Sequence, residues 1–215
     1  MTMKKTSQYS LLVSILAMGS VILVSNKLVQ YPVQGSLFGV DLSLILTWGA
    51  FTYPIAFLVT DTTNRIFGSR SARRVVAVGF ALGVVLTVLA AMGIAIRVSQ
   101  ESSMATWQAL WNDPDAFSML RIALASGTAF LVAQLLDIKV FDILREKVWW
   151  KAPAASSLMG SFFDTLIFFL LAFAGTGLPW MSWAIGDFCA KLMMIMLLLY
   201  PFRLMIRFYP STLRV

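Results

Sequence analysis

The chain has no histidine and one cysteine in 215 residues, and only 13% of its residues are charged. Without histidine it lacks the commonest general base, the commonest metal ligand and the side chain that switches charge near neutral pH. A single cysteine excludes a disulfide framework and a cysteine-based metal site. Cys189 falls within the last apolar stretch and is expected to be a buried, unreactive thiol. No G-x-x-x-x-G-K-[ST] phosphate loop occurs, so the chain carries no ATPase engine of its own. A Ser-His hydrolase is excluded outright, and the carboxylates, left as the only charged metal ligands, are scattered; neither a metal nor a cofactor is expected.

What is abundant is apolar surface. Hydrophobic residues make up 59% of the chain and the mean hydropathy is +0.82, well above a soluble average. Six apolar stretches absorb the excess, near residues 9–28, 42–60, 75–96, 119–141, 153–174 and 183–204. Each is long enough to cross a hydrocarbon core of about 30 Å as a helix. The expectation is an all-α integral membrane protein, a single transmembrane domain over residues 1–215 with six transmembrane helices. The basic start with Lys4 and Lys5 resembles a signal peptide, but no small-residue cleavage site follows, so it reads as a retained first helix. Asp41, Pro153 and Pro179 fall at expected helix starts.

The net charge of +7 comes from basic residues in short connections, which points to membrane topology and away from nucleic acid as a partner. Lys4 and Lys5, then Arg65, Arg70, Arg73 and Arg74, then Arg145, Lys147 and Lys151, and finally Arg203, Arg207 and Arg214 occupy alternate connections and tails. The intervening connections hold only Lys27 and Arg97 as bases, and Glu101, Asp113 and Asp115 make one of them acidic. Cationic connections stay in the cytoplasm during insertion, so both termini are expected inside. Gly79 and Gly83 have the spacing that lets helices approach closely, within the chain more readily than between copies. The first and third helices read mainly as packing elements.

Charge inside a bilayer is costly, which makes each intramembrane acid or base informative. At a rise of about 1.5 Å per residue, Asp164 and Lys191 both come out near the midplane. Asp187 precedes Lys191 by one turn, so Lys191 could pair with it, with Asp164 or with a substrate oxygen. Ser156, Ser157, Ser161 and Asp164 form a polar stripe that should face the protein interior. Gln134 and Asp137 share a helix face with Phe130 and Phe141, with Lys139 and Asp142 nearby. A carboxylate, an amide and an aromatic ring facing one way suit a planar heterocycle with several N–H donors, and they suit an ion-pair scaffold equally. Thr60, Asp61, Thr62, Asn64 and Arg65 form a third polar group at the inner end of the second helix, and Arg121 should snorkel to the outer interface.

Three segments in order, FLVTDTTNRIFG over 57–68, QLLDIKVF over 134–141 and SSLMGSFFDT over 156–165, resemble the queuosine precursor transporter family, a vitamin-uptake family. The resemblance implies a fold similar to vitamin-transporter S-components and a multi-pass importer in the bacterial inner membrane. Its cargo would be 7-deazaguanine bases for salvage into tRNA queuosine. Many relatives have an acid where this chain has Arg65, which is left out of the site. The candidate site is then Asp61, Asn64, Gln134, Asp137 and Asp164 around the base, with Phe141 or Phe163 stacking on it and Lys191 alongside. The expected partners are the small-molecule substrate, membrane lipid and, as a further option, a second copy in a homodimer. Three other readings compete: a vitamin or nucleobase carrier of other specificity, an intramembrane enzyme using Asp137 and Asp164 as acid and base, and a non-catalytic scaffold. The Gly-x-Gly-Asp signature of aspartyl intramembrane proteases is absent, which weighs against the enzyme.

Overall fold

A computed structural model describes residues 2–37, 39–102 and 105–208. Helix α1 spans Thr2–Leu28. A short antiparallel hairpin of β1 (Ser36–Leu37) and β2 (Val40–Asp41) follows, with a 3-10 turn over Leu42–Leu44. After it come α2 (Gly49–Thr52), α3 (Pro54–Ser102), α4 (Thr106–Asn112), α5 (Pro114–Leu144), α6 (Lys151–Phe173) and α7 (Trp180–Phe208). Five of these elements are long and apolar enough to cross a membrane, and the longest, α3, is broken at Gly68. Gly68 has φ 80° and ψ 166°, a conformation essentially reserved for glycine, so it can turn the chain where another residue would be strained.

Cross-helix contacts show that the chain reverses there. In the first arm, 54–67 with α2 before it, Gly49 meets Val29 and Tyr53 meets Asn26, so it runs antiparallel to α1. In the second arm, 69–102, Gly79 meets Met18, Gly83 meets Ile22 and Thr87 meets Asn26, so it runs parallel to α1. The bundle therefore crosses six times. Helix α6 is antiparallel to α5, with Arg121 at Ala174 and Ala133 at Gly160. It is antiparallel to α7 as well, with Phe173 at Trp183 and Asp164 at Lys191. One end of the bundle thus gathers the start of α1, Gly68, the α5–α6 connection and the end of α7, where the basic residues concentrate. By the preference of basic connections for the cytoplasm, that end faces inward.

The expected helix ends move for local reasons. The second crossing begins at Gly49, not residue 42, because Asp41 caps the 3-10 turn by accepting from the Ser43 amide at 2.9 Å. The Ser43 hydroxyl, and then its amide, hold the exposed Asp41 carboxyl below its ordinary pKa. The third crossing begins at 69, since Arg70, Arg73 and Arg74 form polar helical turns that hydropathy reads as loop. Gly79 and Gly83 pack within the chain: a Cβ on either would lie 2.5–2.6 Å from the Met18 or Ile22 side chain. Cys189 is exposed on the outer surface of α7, contrary to the buried thiol expected. A long apolar helix does not indicate which of its faces meets lipid.

Apolar residues seal the bundle at two levels. Towards the outer side Val29, Ile122, Ala129, Phe168, Phe169 and Phe173 pack together. Towards the inner side Phe141, Ala152 and Phe202 do so, with Leu144 and Trp149 against them. The polar side chains described next lie between these layers.

Candidate functional site

The first arm of α3 is the element around which the site is built. It leaves Thr60, Asp61, Thr63 and Asn64 fully buried, an unusual run of polar side chains inside a membrane bundle. Helix α5 presents Phe130, Gln134, Asp137 and Phe141 on one face, all at most 1% exposed, as their i, i+4, i+7 and i+11 spacing requires. Helix α6 turns Ser156, Ser157, Ser161 and Asp164 inward, also as expected.

These faces meet in an inner cluster. The Thr60 hydroxyl donates to Gln134 Oε1 at 2.5 Å. Ser156 and Ser157 each donate to one oxygen of Asp61 at 3.2 Å. The Asp137 carboxyl lies beside that of Asp61. Neither oxygen of Asp137 has a hydrogen-bond partner, nor does either amide atom of Asn64 or the Ser161 hydroxyl. Buried polar groups are ordinarily paired, so unmet capacity on facing turns of the first arm of α3, α5 and α6 marks these side chains as candidates for binding something polar. The cavity that touches Asp61 has a volume of about 20 Å³, room for roughly one water, and is bounded by Ser157, Pro153, Leu58 and Phe202.

Roughly 10 Å nearer the outer face, by the seven residues separating Ser157 from Asp164, lies a second cluster. Lys191 Nζ is 2.8 Å from Asp164 Oδ2, 2.6 Å from Asp187 Oδ2 and 3.0 Å from Thr165 Oγ1. Thr165 in turn donates to Asp187 at 2.7 Å, and the Tyr53 ring lies against the ammonium, its centroid 5.5 Å away. The base anticipated to serve Asp164, Asp187 or a substrate thus serves both acids at once. Asp164 is held in this network, away from Asp137, so the acid-and-base pairing of Asp137 with Asp164 is replaced by a neighbouring pair, Asp137 with Asp61.

Phe141 packs edge-on against Phe202 at 6.3 Å between centroids, within the inner apolar layer. Phe163 is half-buried and meets Phe162 edge-on. Arg121 does more than snorkel: its guanidinium donates to the Leu171 and Ala174 carbonyls, capping the end of α6. Arg65 donates to the Arg145 carbonyl at 2.8 Å, and Arg145 reaches back to the Asn64 carbonyl, so these two bases clasp the inner ends of α3's first arm and α5.

Sequence reasoning overlooked a third polar group. Asn26 Oδ1 accepts from Ser126 at 2.7 Å, Tyr53 shares a hydrogen bond with Ser126 and has its hydroxyl 3.5 Å from the same Asn26 oxygen, and the Asn26 amide donates to Thr87 at 3.3 Å. The first and third crossings are therefore more than packing elements, since they deliver Asn26 and Thr87. The available signal was Asn26 itself, an amide inside an apolar run.

The chain is similar to known proteins over most of its length. The sequence profile of the family described as "Putative vitamin uptake transporter" matches residues 47–206. The chain is 39% identical over 189 residues to the queuosine precursor transporter of Escherichia coli (strain K12), covering 84% of this chain and 79% of that one. It is 38% identical over 193 residues, with the same coverage, to a protein of Haemophilus influenzae named "Probable queuosine precursor transporter". A Bacillus subtilis protein of the same name is 32% identical over 145 residues, covering 65% of this chain and 59% of that one. No solved structure matches. With the profile spanning most of the chain and relatives this similar, the chain belongs to the queuosine precursor transporter family, as a multi-pass protein of the bacterial inner membrane.

Proposed function

We propose that this protein is a carrier, not an enzyme, that brings a queuosine precursor, a 7-deazaguanine base, across the inner membrane into the cell. We place the base between the first arm of α3, α5 and α6, held by Asp61, Asn64, Gln134 and Asp137. The observation that carries this reading is the set of buried, unpartnered polar atoms on Asp137 and Asn64. A guanine-like base presents adjacent ring N–H and amino donors beside a carbonyl acceptor. A carboxylate accepts from the paired donors, and a side-chain amide can donate to the carbonyl and accept from the rest. The names of the relatives supply the cargo, and the inner cluster supplies matching chemistry.

The closed form of the site defines a mechanism. A cavity of about 20 Å³ at Asp61 holds no base, so the helices must part to admit one. The inner layer of Phe141 and Phe202 and the outer layer around Phe168 and Phe173 are the two barriers, one of which opens at a time. Pro201, immediately before Phe202, cannot donate to the carbonyl one turn earlier and gives α7 a point at which its inner end can swing. The Lys191 network holds α6 and α7 together at the midplane while this happens.

Uptake of labelled deazaguanine base by cells lacking their own carrier tests the reading. Asp137→Asn removes a charge but little volume. At normal membrane abundance it is expected to weaken apparent affinity about 10- to 100-fold, the worth of a hydrogen bond to a charged group. Unchanged uptake in both Asp61→Asn and Asp137→Asn would rule out this site.

A further inference from the structure

The buried charges do not balance. Among the described residues, Asp61, Asp137, Asp164 and Asp187 are fully buried acids, and Lys191 is the fully buried base. Lys191 lies in the upper cluster, within 2.8 Å of both Asp164 and Asp187. In the inner cluster the Asp61 and Asp137 carboxyls lie side by side. The other elements packed there supply hydroxyls, from Ser156 and Ser157 on α6 and Thr60 on α3. Arg65 and Arg145, a turn or more further in, donate to main-chain carbonyls. Two adjacent carboxylates in a water-poor interior repel strongly, and isolated buried ions are heavily penalised.

A neutral base can satisfy the donors that one carboxylate needs, but it brings no charge to offset the pair. We propose that the Asp61–Asp137 pair binds one monovalent cation together with the base, so that the carrier moves cation and cargo as a unit. The cation is a proton or Na⁺, both of which suit a pair of carboxylates. The same three helices carry further unmet oxygens that suit such a ligand: both Asp137 oxygens, the Asn64 Oδ1 and the Ser161 hydroxyl lack hydrogen-bond partners, and Asn64, Asp137 and Ser161 are 0% exposed. Hard cations are held by carboxylate, amide and hydroxyl oxygens of this kind. With the cation in place, one carboxyl is neutralised and the other is free to receive the N–H donors; without it, the base must bind beside two repelling charges. Cation and base therefore strengthen each other's binding reciprocally. This inference rests on the inner cluster being the binding site for the base.

Purified protein in liposomes, with no nucleotide present, provides the test. Labelled base is added outside, and a tenfold inward gradient of H⁺ or of Na⁺ is imposed separately. With the membrane potential clamped at zero by equal K⁺ on both sides and valinomycin, one of the two is expected to drive accumulation inside towards tenfold over the outside concentration, the limit for one cation per base. The same cation should tighten equilibrium binding of the base at least several-fold when raised from low to high concentration, and Asp61→Asn should abolish that dependence. Uptake that only equilibrates under both gradients, with affinity indifferent to pH and to Na⁺, would overturn coupling and leave the carrier reading intact. Absence of both binding and uptake under every condition would overturn the two together.

Discussion

Asp137 shows what a residue in this bundle can do and what its neighbours determine. It is 0% exposed with two unpartnered oxygens, whereas Asp164, on the next helix, has Lys191 at 2.8 Å. The same side chain is thus a candidate ligand in one place and a structural anchor in the other. Replacing Lys191 by Met would leave Asp164 and Asp187 buried together without a counter-charge, a change expected to cost about 3–5 kcal/mol. Thermal unfolding of the detergent-solubilised protein checks this. Asn64→Ala, which removes two unpartnered atoms, should leave the unfolding temperature nearly unchanged while lowering affinity for the base. A variant that lost stability instead would show that Asn64 serves the fold. At this scale, the candidates are legible in the sequence: Asp61, Asn64, Gln134 and Asp137 stand out because polar side chains inside apolar spans are rare. Their division from Asp164 and Lys191 is not, because a linear sequence does not record how α3, α5 and α6 align in depth.

At the scale of elements, glycines decide how closely helices approach. Gly68 permits the reversal between the two arms of α3 at φ 80°, ψ 166°. Gly68→Ala is expected to cost about 1–3 kcal/mol, measurable as a lower unfolding temperature, because its added Cβ makes that backbone region strained. Gly83 lies against Ile22, where an added Cβ would be 2.6 Å from the nearest side-chain atom. Gly83→Leu should push α1 off the second arm of α3 and reduce the amount of folded protein recovered from membranes, while Gly93→Ala, with nothing within 4 Å, should not. Apolar run lengths located all six crossings, yet they merged the Arg70–Arg74 turns into a loop and extended the second crossing back over a 3-10 turn. Hydropathy measures preference for lipid, and a helix does not have to end where that preference does.

For the whole molecule, the alternation of basic connections predicts that single cysteines placed at Glu146 and Gly177, in a Cys189→Ala background, will be labelled from opposite sides of intact cells. Gly177 should react with an impermeant reagent and Glu146 only after permeabilisation; the reverse pattern would invert the topology. The number of crossings, their orientation and the side chains available for a site follow from the sequence alone, because lipid imposes run length and basic residues resist translocation whatever the tertiary packing. Only the folded bundle decided that Asp61 sits beside Asp137, that Lys191 is held by two acids, that Asn26 joins Ser126 and Tyr53, and that Cys189 faces outward. Those outcomes depend on the rotation and relative depth of helices far apart in the chain, which packing between close surfaces sets and periodicity within one helix does not.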